Sequence, residues 1–89
     1  MEIGSISFDP VRPTDLDEIT AAVFGCNTVE IGGLLRGTPL AGMVARAVAP
    51  FIPEGDRPAE IVIAQEIAAA GVIPIARAVA ALYEGQDDD

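Results

Sequence analysis

The sequence predicts an all-α fold, a small bundle of four to five short helices preceded by an extended N-terminal arm, and three observations predict it. Apolar residues recur at helical spacing in several separate stretches. Those stretches are bounded by helix punctuation, with Thr14, Asn27 and Thr38 at starts and Gly25, Pro50 and Gly71 at ends. Hydrophobic residues make up 51% of the chain but aromatic residues only 4%. A core of Ala, Ile and Val favours closely packed helices over a deep cavity lined by rings.

Residues 1–13 carry Pro10, Pro13 and the alternation of Ile3 with Ser5 and Ile6 with Phe8, the pattern of an extended arm that covers its own domain or reaches a neighbour. In the first helix Thr14 is a candidate cap, and Asp15, Asp17 and Glu18 sit in the positive first turn. Leu16, Ile19, Val23 and Phe24 form its inward stripe, and Gly25 closes it. Asn27 followed by Glu30 is a capping-box pattern opening a short second helix, weakened by Gly32 and Gly33. Thr38 and Pro39 supply a cap and a preset first residue for a third helix, with Leu40, Met43, Val44, Ala47 and Val48 inward. Ala41 and Ala45 make a second stripe of small residues on it, and Pro50 is expected to end it.

The linker "PFIPEGD" calls for rigid turns, and its Phe51 and Ile52 either plug the core or are offered to a partner. A fourth helix is expected from Pro58 to Ala70, ended or kinked at Gly71. Pro74 suits the first turn of a fifth, with Ile75, Ala78, Val79 and Leu82 inward and Gly85 closing it. The boundaries that follow are the arm at 1–13, a helical domain at 14–85 and an acidic tail at 86–89.

Apolar groups point to every side of the fourth helix, between Gln65, Glu66 and Glu60 at about 40°, 140° and 260° from Ile61. At about 100° per residue, with Ile61 at zero, Val62 falls at about 100°, Ile63 at about 200° and Ile67 at about 240°. Such a helix is expected either at the centre of the bundle or against another chain. A chain of 89 residues forms one small core of marginal stability, so leaving several such side chains in water is costly.

Fourteen acids against five bases give a net charge of −9. Nucleic acid is repelled by that balance, because its nonspecific affinity comes from Lys and Arg neutralising phosphates. A basic protein surface is the better partner for it. The chain contains no histidine and one cysteine, so the common nucleophile–base pairs and zinc sites cannot be assembled. Cys26 reads as a small buried thiol. "GGLLRG" lacks the lysine and the spacing of a phosphate loop, leaving Gly32, Gly33 and Gly37 as packing and turn residues.

The segment "QEIAAAGVIPIARAVAAL" resembles a repressor-type helix-turn-helix in the "AGV" that turns the chain at Gly71. The resemblance stops there. Such motifs place a small residue four positions before the turn glycine and an apolar one six after it, where this chain has Ile67 and Arg77. The following helix offers only Arg77 to base edges. The chain is similar to an acyl-carrier protein in length, acidity and helical content, but it has no serine past position 7 to carry a prosthetic arm.

These readings converge on a non-enzymatic acidic protein that binds other proteins or assembles, as a homo-oligomer or as a component of a larger complex such as a phage particle. The alternative is an acidic inhibitor, an antitoxin or a DNA mimic, covering a basic partner surface with Glu54, Asp56, Glu60 and the terminal acids. A helix-turn-helix DNA-binding protein is third. No cofactor, metal, nucleic acid, membrane or small-molecule substrate is expected. A cytoplasmic setting is expected because the first ten residues lack the apolar run of a signal peptide. Phe51, Ile52, Ile61 and Val62 are the residues expected to meet the partner. In an electrophoretic shift assay at low ionic strength the protein is expected to retard no duplex, and a shift that strengthens as salt falls would restore the DNA-binding reading.

Overall fold

The computed structural model describes residues 1–84, and Gly85 and the tail at 86–89 lie outside the described residues. A two-stranded antiparallel hairpin, β1 (Glu2–Ile3) and β2 (Ile6–Ser7), leads into five α-helices. These are α1 (Leu16–Phe24), α2 (Thr28–Leu35), α3 (Ala41–Val48), α4 (Glu60–Ala70) and α5 (Val72–Glu84). The all-α bundle expected from the sequence is the observed architecture.

The arm is extended, and its first part doubles back. Gly4 and Ser5 turn the chain so that Ile3 faces Ile6 across the ladder. Ile3 and Phe8 enter the core, and the Ser5 amide donates to Glu66 Oε1 of α4 at 3.0 Å. The arm therefore packs on its own domain. Farther along it, Arg12 donates to the carbonyl oxygens of Leu82 and Tyr83, covering two of the acceptors that the last turn of α5 leaves without intrahelical partners.

The α1 stripe is rotated from the expected one. Leu16 and Thr20 are buried, Ile19 and Phe24 are half-buried and Val23 is exposed. Thr20 takes the inner position because its hydroxyl donates to the Leu16 carbonyl at 2.7 Å, which removes the penalty of burying a polar group. The N-cap residue is Asp15, not Thr14, and makes no side-chain capping bond. At α2 the capping box forms as its spacing predicts: Asn27 Oδ1 accepts from the Glu30 amide at 2.8 Å, and Glu30 Oε1 accepts from the Asn27 amide at 3.0 Å. Gly32, costly within a helix, is buried against Glu84, where a Cβ would stand 2.8 Å from Glu84 Cγ. The gap lets Arg36 grip Glu84 through two hydrogen bonds of 2.7 and 2.8 Å, which hold the Glu84 carboxyl below its usual range.

Neither Thr38 nor Pro39 opens α3; the helix begins at Ala41 after an extended Leu40 that is itself exposed. Val44, Ala45, Ala47 and Val48 face inward, with Ala41 and Met43 half-buried beside them. Pro50 does not stop the chain from turning. Ala49–Phe51 continue α3 as one 3-10 turn with Pro50 in its early part, where a missing amide hydrogen costs little. That turn drives Phe51 and Ile52 into the core.

Gly71 separates α4 and α5, which are bent by 120° relative to each other. Its φ of 111° lies where only glycine sits without strain, so the sharp corner belongs to this residue. Among the described residues no single helix is long and apolar enough to cross a membrane.

On α5 the inward residues are Ile75, Ala76, Val79, Ala80 and Tyr83; Ala78, expected inward, is exposed, and Leu82 is half-buried. The rotation follows from Tyr83, whose ring meets Phe51 edge-on at 5.3 Å and whose hydroxyl donates to the Ala47 carbonyl at 2.6 Å. Burial pushes the phenol up to about 12, against the smaller opposing effects of the nearby Thr20 hydroxyl and the charge of Arg12. The folded chain thus holds this proton where the unfolded chain, near the ordinary value of about 10, has released it.

The linked stability is complete below pH 10 and is expected to fall by about 2 to 3 kcal/mol as pH rises through 12. Tyr83 is the only tyrosine, so phenolate absorbance reports it alone; a folded-state midpoint near 10 contradicts its burial. Tyr83→Phe is expected to remove that alkaline loss and to cost about 1 to 3 kcal/mol at neutral pH, measured by denaturant unfolding, because the Ala47 carbonyl loses its donor.

Candidate functional site

The wheel of α4 resolves into two halves. Ile63 and Ile67, about 40° apart, are fully buried beneath the helix. Ile61 is 65% exposed and Val62 41% exposed. The central position in the bundle, one of the two expectations for this helix, is therefore overturned: α4 buries one side in the core and leaves the other exposed. Its outward arc runs through Ala68, Ile61, Gln65, Ala69 and Val62 and contains no charge.

Two of the four residues expected to meet a partner do not reach the surface. Phe51 and Ile52 are only 2% and 1% exposed. The linker's 3-10 turn points both inward, and Arg57 fastens it by donating from Nε and Nη2 to the Ile52 carbonyl at 3.2 and 3.0 Å. They plug the core, and an apolar residue outside a helix face gives no clue in sequence to which way its turn will aim it. Ile61 and Val62 remain as surface candidates.

Ile61 stands at the edge of a groove of about 590 Å³ whose other walls are Phe24, Gly42, Met43 and Ala64, with Arg46 and Glu60 at its border. A second groove of about 480 Å³ adjoins it, lined by Pro13, Ile19, Val23, Ala49, Pro50 and Arg57. Arg46 and Glu60 line both, so their ion pair forms the ridge between the grooves. Arg46 Nε and Glu60 Oε1 are 3.6 Å apart, and both side chains are half exposed. An ion pair this long and this wet contributes little to stability and leaves both groups with unused bonding capacity. The sequence pattern marked Phe24 and Met43 as inward residues rather than as groove walls, and it did not mark the second groove. Ile19, Val23, Phe24 and Met43 are the residues expected inward that α1 and α3 leave half-buried or exposed.

The arginines are distributed unevenly in their use. Among the described residues Arg12, Arg36, Arg46 and Arg57 all bond within the chain, and Arg77 makes no such bond. Most of the positive charge is thus tied into the fold, while the acids of α1 and of the 3-10 turn Glu54–Asp56 face water. Among the same residues no three His, Cys, Asp or Glu side chains converge on a point where a metal ion could sit. Cys26 is half-buried against the core.

No protein-family model, no curated protein and no solved structure matches the chain.

Opposite substitution costs are expected at the two halves of the original quartet. Phe51→Ala should destabilise by about 3 to 5 kcal/mol through the cavity it leaves. Ile61→Ser should change stability by no more than about 0.5 kcal/mol, because its side chain is already in water. Denaturant midpoints of the two variants check this, and a large loss at Ile61 would mean that the residue is buried.

Proposed function

We propose that this protein is a non-enzymatic, acidic interaction or assembly subunit, working as a homo-oligomer or as a component of a larger complex. The observation that carries the reading is the uncharged outward arc of α4 beside an apolar groove, in a chain of net charge −9. A small domain gains little by wetting Ile61 and Val62, and each such side chain returns roughly 1.5 to 3 kcal/mol when it is fully buried. Contact with another protein is what recovers that energy. The absence of histidine and lysine from the sequence supports a role in binding rather than in chemistry.

The acidic-inhibitor reading is the second one, favoured by Glu54 and Asp56, which stand exposed on a turn of their own. If it holds, neutralising these acids slows association with a basic partner and added salt weakens binding. For the leading reading, affinity isolation of the tagged protein from its native host, with mass measured by light scattering, is expected to give a defined assembly of two or more chains. A compact monomer with no stoichiometric partner contradicts it.

A further inference from the structure

The groove beside Ile61 and the ridge behind it have a property that selects their occupant. A two-fold contact between identical chains uses the same patch on both partners, so the patch must be complementary to itself. Here an apolar knob, Ile61, stands immediately beside an apolar hollow formed by Phe24, Met43 and Ala64. The bordering charges come as one of each sign, Arg46 and Glu60, held together only loosely at 3.6 Å. A knob next to its own hole, and a cation next to its own anion, both find their complements when the surface is turned through 180° upon itself.

We propose that this face is a two-fold contact between two copies of the chain, in which Ile61 of each copy seats in the other's groove and Arg46 and Glu60 exchange ion-pair partners across the axis. The groove of about 590 Å³ exceeds what one isoleucine side chain needs, leaving room for part of the second copy's first α4 turn. Gly42, which lines the groove without a side chain, lets that turn approach closely. A basic partner would be drawn to the acids of α1 and of the Glu54–Asp56 turn, whereas the outward arc of α4 is neutral. Neutrality is what two chains of net charge −9 require at the surface through which they meet.

The area sets the strength. The arc and its groove occupy only part of one side of a body 29 × 28 × 27 Å across, less than the roughly 800 Å² that each partner contributes to a standard interface. The dimer is accordingly a weak one, with dissociation in the micromolar range.

The proposal rests on the assembly reading and deepens it. Its test is sedimentation equilibrium of the full chain from about 10 to 500 µM, in about 50 mM and about 500 mM salt. The expected result is a monomer–dimer equilibrium that strengthens with salt, because screening relieves the mutual repulsion of two acidic chains. Ile61→Ser is expected to weaken it at least about ten-fold, with helicity by circular dichroism unchanged. Leu34→Ser, on the exposed side of α2, is expected to leave it as it was.

The decisive arm uses two charge variants. Arg46→Glu and Glu60→Arg each place like charges on the ridge and are expected to be monomeric alone, yet to pair when mixed. A wild-type chain that stays monomeric throughout the range in both salts overturns the contact. So does a mixture that fails to pair, or a dimer that dissociates as salt rises. A dimer indifferent to Ile61→Ser and to both charge variants also overturns it, while leaving the assembly reading standing, because the chains then associate through another face.

Discussion

The hydroxyl of Tyr83 donating to the carbonyl of Ala47 is the bond around which this fold is organised. It draws the end of α5 onto α3, sets the rotation of α5 about its own axis, and brings the Tyr83 ring against Phe51 of the 3-10 turn that follows α3. Once that register is fixed, Ala76 and Ala80 rather than Ala78 face the interior, and Glu84 is left within reach of Arg36. Arg12 then closes the end of α5 from the arm. One aromatic pair and one buried hydroxyl thus locate three helices and the arm, in a core otherwise assembled from small aliphatic groups.

Much of this was legible in the sequence, and the parts that were not share a physical cause. The number and order of the helices, the capping box at Asn27, the corner at Gly71 and the inward Val44, Ala47 and Val48 all follow from local rules acting within a few residues. Rotations of helices about their axes do not. The inner place of Thr20 depends on a hydroxyl finding the Leu16 carbonyl, and the inner place of Tyr83 depends on Ala47, thirty-six residues away. A propensity or a periodicity contains no term for either. Pro50 was legible as the end of α3, which stops at Val48, but not the 3-10 turn that follows it and buries Phe51 and Ile52.

The surface site was half legible. An all-round apolar α4 led to the expectation that Ile61 and Val62 are buried by the bundle or by another chain, and the fold leaves them 65% and 41% exposed. The groove beside them lies between α4 and the half-covered Phe24 of the rotated α1 and Met43 of α3. Charge follows the same division. Four arginines bond within the chain, the acids of α1 and of the Glu54–Asp56 turn are left to the water, and the outward arc of α4 carries no charge. Marginal stability, an unburied apolar arc and a self-complementary ridge are consequences of one small core that cannot cover all its own helices.

The most direct test is the concentration dependence of backbone amide chemical shifts across the whole chain. If the Ile61 face is the contact, raising the concentration moves the amides of residues 42–46 and 60–65 together along one binding curve, and leaves those of α2 in place. Shifts that do not move at all, or that move on α2 and the arm instead, contradict the account.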